Sequence, residues 1–182
     1  AVQHGLAEEV LGHYHVENVW TYDALLQQAE AATPKPTNWQ AAVDALKVKY
    51  ANLNFVDDIY QQLAPLPFSI TVYGRLGELC RVLTEYLASR DVQGHHTAQT
   101  NELLTLHFTG EKAWFTDESQ TNKDKFKTAL TFNNPQINGE SCLYPFHGKI
   151  KTPQVRMHFQ WPILAGRDSI DIVFIGPKIT KG

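Results

Sequence analysis

Residues 142–161 read CLYPFHGKIKTPQVRMHFQW, and the alternation in this stretch decides the fold. Successive side chains of a β-strand point to opposite faces. Val155, Met157, Phe159 and Trp161 fall on one face, and Gln154, Arg156, His158 and Gln160 on the other. Before the turn, Phe146, Gly148 and Ile150 share a face, opposite His147, Lys149 and Lys151. A β-hairpin follows, with one strand over 142–151 and the next over 154–161. A one-residue slip would bury the charges, so the apolar sets fix the register. A turn centred on Thr152-Pro153, as a four-residue loop or with a cis proline, then pairs Ile150 with Val155, Lys149 with Arg156 and His147 with His158.

Directly opposed side chains of an antiparallel pair have Cβ atoms roughly 5 Å apart, and like charges placed there repel. An anion between the strands removes that cost. Phosphate suits it, because Arg presents a planar fork and Lys a compact charge. Two histidines beside these cations titrate near neutral pH. As an active site, the face reads as a metal-independent ribonuclease. His147 and His158 are its general base and acid, and Lys149 and Arg156 stabilise charge on the phosphate. Lys112 and Lys123 are further substrate-binding candidates, from a polar segment that also holds Asp117, Ser119 and Asn122. Three plainer readings stand beside this one. The face is the solvated side of an edge hairpin, where charge guards against strand-to-strand aggregation. The segment around Asp117 only starts a helix, with acids near its positive end. Or the protein is a non-catalytic module that binds nucleic acid or protein, or a partner subunit.

Outward from the hairpin, Ile170 to Ile175 is apolar on both faces apart from Asp171, as in a strand covered on both sides. Upstream, helical spacing runs over Asn18–Ala32, from a Thr37 N-cap to Tyr50, over Phe55–Leu63 and, longest, over Ile70–Ala88. Ala98–Leu104 is a short helix. Leu106-His107-Phe108 and Ala113-Trp114-Phe115 look like strand pieces around Gly110, and Thr121–Leu130 is helical again. The fold class is α+β: a mainly helical, acidic region over 1–104, then a basic α+β region over 105–182 ending in an antiparallel sheet.

The net charge of −3 hides this asymmetry, since residues 1–104 carry −6 and residues 105–182 carry +3. The excess of cations hints at a polyanion such as RNA for the C-terminal part, and the acidic helical part is the candidate surface for a protein partner. With 43% hydrophobic residues the chain has material for a core, and no run is long enough to span a bilayer. Neither of the two cysteines, Cys80 and Cys142, sits in a metal-binding spacing, so they read as reduced residues of a cytoplasmic protein. His13-Tyr14-His15 has chelating alternation but no further ligand at a recognisable spacing, so no metal and no cofactor is expected. Gly74-Arg75-Leu76-Gly77 lacks the phosphate-loop pattern, and no serine sits in a nucleophile elbow. An antiparallel sheet with Lys, Arg and His on one face is similar in layout to small bacterial toxin ribonucleases, with no motif in common; layout alone carries no function.

Overall fold

The computed structural model describes residues 2–6, 9–14, 18–32 and 34–181. Its chain divides into two compact units, Ala1–Lys35 and Pro36–Gly182. The expected boundary at 104/105 falls inside the second unit, because the helices before it and the strands after it share one core.

The first unit opens with a hairpin. Strands β1 (Val2–Leu6) and β2 (Glu9–Tyr14) pair antiparallel, with a bulge between His4 and Gly5. Helix α1 (Tyr22–Ala32) follows. Its start is set by Thr21, whose hydroxyl accepts from the Ala24 amide at 3.2 Å.

In the second unit, α2 (Trp39–Lys49) is capped by Asn38 rather than Thr37, the Asn38 side chain accepting from the Ala41 amide. Short elements β3 (Leu53–Phe55) and α3 (Ile59–Leu63) lead to α4 (Ile70–Ala88), capped by Ser69. A reciprocal cap between Thr97 and Thr100 starts α5 (Ala98–Phe108). This helix runs through Leu106-His107-Phe108, which the sequence had placed in a strand. Packing decides it: Phe108 stacks on Phe115 with ring centroids 4.5 Å apart. Then come β4 (Phe115–Thr116), α6 (Gln120–Lys125), β5 (Thr131–Asn133), β6 (Ser141–Leu143), β7 (His147–Ile150), β8 (Val155–Phe159) and β9 (Ile170–Pro177).

The main sheet has the order β3-β9-β8-β7-β4, and β5 pairs separately with β6. The class is α+β, as the sequence indicated. The sheet is mixed rather than wholly antiparallel, because β3 joins β9 in parallel. The strand expected over 142–151 is two strands in different sheets. Pro145 has no N–H to give a ladder, and the Tyr144 amide turns to the Leu130 carbonyl at 2.9 Å.

Both faces of the sheet are covered. On one, α4 packs so closely that a Cβ on Gly148 would lie 2.9 Å from Leu79 Cδ1. Leu79, Leu83, Val155, Met157, Phe159, Ile172 and Ile175 form the core there, each contributing roughly 1.5–3 kcal/mol by burial. On the other, Phe132 meets the rings of Tyr144, His158 and Phe174. Leu130 is fully buried. Among the described residues no helix is long and apolar enough to cross a membrane.

Candidate anion-binding site

The hairpin pairs as its sequence requires: His147 with His158, Gly148 with Met157, Lys149 with Arg156 and Ile150 with Val155. The Thr152-Pro153 peptide within its turn is cis. The expected solvated face is not there. His147, Arg156 and His158 are 3%, 9% and 1% exposed, and Lys149 is half-buried. Phe132 packs on His158 and Glu118 stands beside His147, and both faces of β8 are buried.

The histidine end is satisfied from the backbone. His147 Nδ1 lies 3.0 Å from the Pro145 carbonyl and His158 Nδ1 lies 2.8 Å from the Tyr144 carbonyl. A carbonyl only accepts, so each Nδ1 carries the proton and donates. Both rings therefore present a bare Nε2 when neutral, and that of His158 is buried without a partner. The ring centroids are 5.0 Å apart. Burial, followed by the neighbouring His147, pushes His158 down to about 3. His147 is also lowered, chiefly by burial, against the Pro145 carbonyl and Glu118. Glu118 is the carboxylate of this layer, its Oε1 3.8 Å from His147 Nδ1. Burial works to raise its pKa. The bonds donated by Asn122 Nδ2 at 2.7 Å and Thr180 Oγ1 at 2.9 Å work the other way, joined by the histidines to the extent that they are protonated, and the carboxyl lies below the usual carboxylate range. The resting state is an ionised Glu118 facing two neutral imidazoles.

The cation end is different. Arg156 donates from one Nη to the Ile150 and Val155 carbonyls at 3.1 and 2.9 Å, and its Nε is buried without a partner. Burial works against its charge and Glu118 only partly offsets that. Lys149 is lowered by burial, then by Arg156 and Lys151. Among the described residues, Arg81, Lys123 and Arg167 each meet a carboxylate in an ion pair. Lys149 and Arg156 meet none.

Beside this end lies a concavity of about 390 Å³. It is lined by Arg75 and Glu78 from α4, by Lys112 and Trp114, and by Lys149 and Lys151 from the hairpin, among others. That size is usual for a small-ligand cleft. Glu78 is already engaged by Arg81 at 3.1 Å. Lys112 thus stands with the hairpin, as the sequence reading had it. Lys123 does not line this concavity: it pairs with Asp117. Ser119 does cap α6, accepting from the Asn122 amide. The same turn also carries Glu118 inward to the histidines, so helix start and hairpin wall are one feature.

Sequence reasoning missed Glu118, Thr180 and Arg75 as parts of this region. The Glu118/Asn122 spacing of one helical turn was the only local signal. Of the metal candidates, His13 lies in β2 opposite Gln3 and His15 lies outside the described residues. No group of three or more His, Cys, Asp or Glu that could hold a metal ion occurs among the described residues. Comparison with known proteins finds no relative: no family model, no curated protein and no solved structure matches this chain.

Proposed function

We propose that the protein binds a phosphate-bearing polyanion, such as single-stranded RNA, at the turn end of the β7–β8 hairpin, without cleaving it. The observation that carries this reading is the uncompensated pair of Lys149 and Arg156, opposed in the ladder with no carboxylate on either. A buried or half-buried cation without a counter-ion costs free energy that a bound anion removes. Arg75, Lys112 and Lys151 around the adjacent concavity extend the positive surface, which fits a ligand longer than one phosphate. Trp114, half-buried at its wall, offers a ring on which a base can stack.

Catalysis by the histidine pair is the less supported reading. A ribonuclease needs one protonated imidazole to donate to the leaving oxygen. Here burial keeps both neutral, and their Nδ1 protons are held by the Pro145 and Tyr144 carbonyls. The free thiols of Cys80 and Cys142 fit the cytoplasmic location expected from the sequence.

The test is a fluorescence-anisotropy titration with a labelled single-stranded RNA oligonucleotide in EDTA, at several salt concentrations. Binding that weakens steeply with salt, with the oligonucleotide intact on a gel, is the expected result. No binding even at low salt would overturn the proposal. Cleavage that disappears in His158→Asn would restore the ribonuclease.

A further inference from the structure

The histidine end of the hairpin is tied to its cover by a set of polar contacts as well as by the Phe132 ring on His158. Glu118 takes bonds from Asn122 on α6 and from Thr180 near the C-terminus. The two imidazoles are bonded to carbonyls of the 144–145 link, and that link is bonded to Leu130 through the Tyr144 amide. The charged and titratable groups facing the pair can be named element by element. The entry to α6 brings Glu118, β7 brings Lys149, and β8 brings Arg156. The link before β7 brings the Tyr144 carbonyl to His158, while the Tyr144 phenol, which burial pushes up to about 12, has Cys142, Asp171 and Arg167 as its charged neighbours instead. From β5 and β9 only the rings of Phe132 and Phe174 meet His158.

A proton entering this layer has one carboxylate to meet, and that carboxylate already accepts two bonds. A first imidazolium can turn to Glu118. A second has no acceptor, because His158 Nε2 is enclosed and unpartnered, and it lies beside a first cation and Arg156. We infer that His147 and His158 form a proton-operated latch on the anion site: taking up protons loosens the cover over residues 118–144 and adds two positive charges behind Lys149 and Arg156. This rests on the anion-binding reading of the hairpin and supplies its regulation.

The scale follows from linkage. An imidazole kept neutral under the cover, but free to titrate near 6.5 once it opens, favours the open form by about 30-fold at pH 5. Two such groups favour it by about 1,000-fold.

Two readouts separate the latch from the site. Amide hydrogen exchange at constant ionic strength, corrected for intrinsic rates, follows the cover in the intact chain between pH 7.5 and 5. Protection over residues 118–144 should fall by at least about 100-fold relative to the β8–β9 core. It should approach two decades per pH unit in the wild type and one in His158→Asn, whose amide can still donate to the Tyr144 carbonyl. In parallel, affinity for the RNA oligonucleotide should rise by at least about tenfold at pH 5 over pH 7.5, and by clearly less in His147→Asn/His158→Asn. Unchanged protection in the wild type overturns the latch whether or not RNA binds, and needs no variant to fold. Loosening of the cover with a pH-independent affinity overturns its coupling to the site. Loosening with no RNA bound at either pH overturns the anion-binding reading itself.

Discussion

Two charged centres lie on the sheet's strands, and the chain treats them in opposite ways. Asp171 on β9 is 1% exposed. It accepts from Asn54 Nδ2, from Gln136 Nε2 through both oxygens, and from the Arg167 guanidinium at 3.1 Å. Arg167 is steadied in turn by Gln160. This centre on β9 gathers partners from β3 and two loops. On β8, Arg156 is nearly as enclosed but has only two backbone carbonyls, an orphaned Nε and a facing lysine. A fold that can surround Asp171 so fully has the means to neutralise Arg156. That contrast is what motivates the proposed anion site on the hairpin.

Breaking the satisfied centre should have the largest effect. Asp171→Ala leaves Arg167, Asn54 and Gln136 without their acceptor, and should cost about 3–5 kcal/mol in urea unfolding. A loss under about 1 kcal/mol would erase the contrast. Next is acid. His158 is held near 3 in the folded protein and titrates near 6.5 when unfolded. The folded pKa is depressed, so the unfolded chain takes the proton first. The stability is complete above about pH 6.5 and is lost as pH falls toward 3. Between pH 6.5 and 4.5, above most carboxylate titration, unfolding free energy should drop by roughly 2–3 kcal/mol, and His158→Asn should flatten the curve. A wild-type protein equally stable at both values would mean the imidazole is not enclosed.

Gly148→Ala sharpens the register. The new methyl would meet Leu79 Cδ1 at 2.9 Å and Phe115 Cε1 at 3.1 Å, costing about 1–3 kcal/mol by overpacking. A neutral change would place position 148 on another face. The smallest effect belongs to the unsatisfied centre: Arg156→Met should cost no more than about 1 kcal/mol, because no partner charge is stranded. A loss as large as that of Asp171→Ala would mean Arg156 is a structural ion after all.

The pairing of the hairpin was legible in sequence, because strict alternation on both arms admits one register. The longest helix, Ile70–Ala88, was legible for the same reason, and appears with those bounds. What lay over the hairpin was not legible. Whether His158 faces water or Phe132 depends on the path of a separate segment, and alternation within a strand says nothing about that. The break at Pro145 was written in the chain but lost inside a longer apolar run. The parallel pairing of Leu53–Phe55 with β9 joins segments more than a hundred residues apart, and so short a strand has no period of its own. Lys112 beside the hairpin and Lys123 away from it show the same limit: both are cations of one segment, and only tertiary structure sorts them.

The central claim is that Lys149 and Arg156 wait for phosphate, and the salt dependence of RNA binding tests it most directly. Each phosphate contact on a single strand contributes about 0.7 to the slope of log affinity against log salt. The Lys149→Met/Arg156→Met variant, confirmed as folded, should lose about 1.4 from the wild-type slope. A variant that binds the oligonucleotide with the wild-type slope would contradict the account.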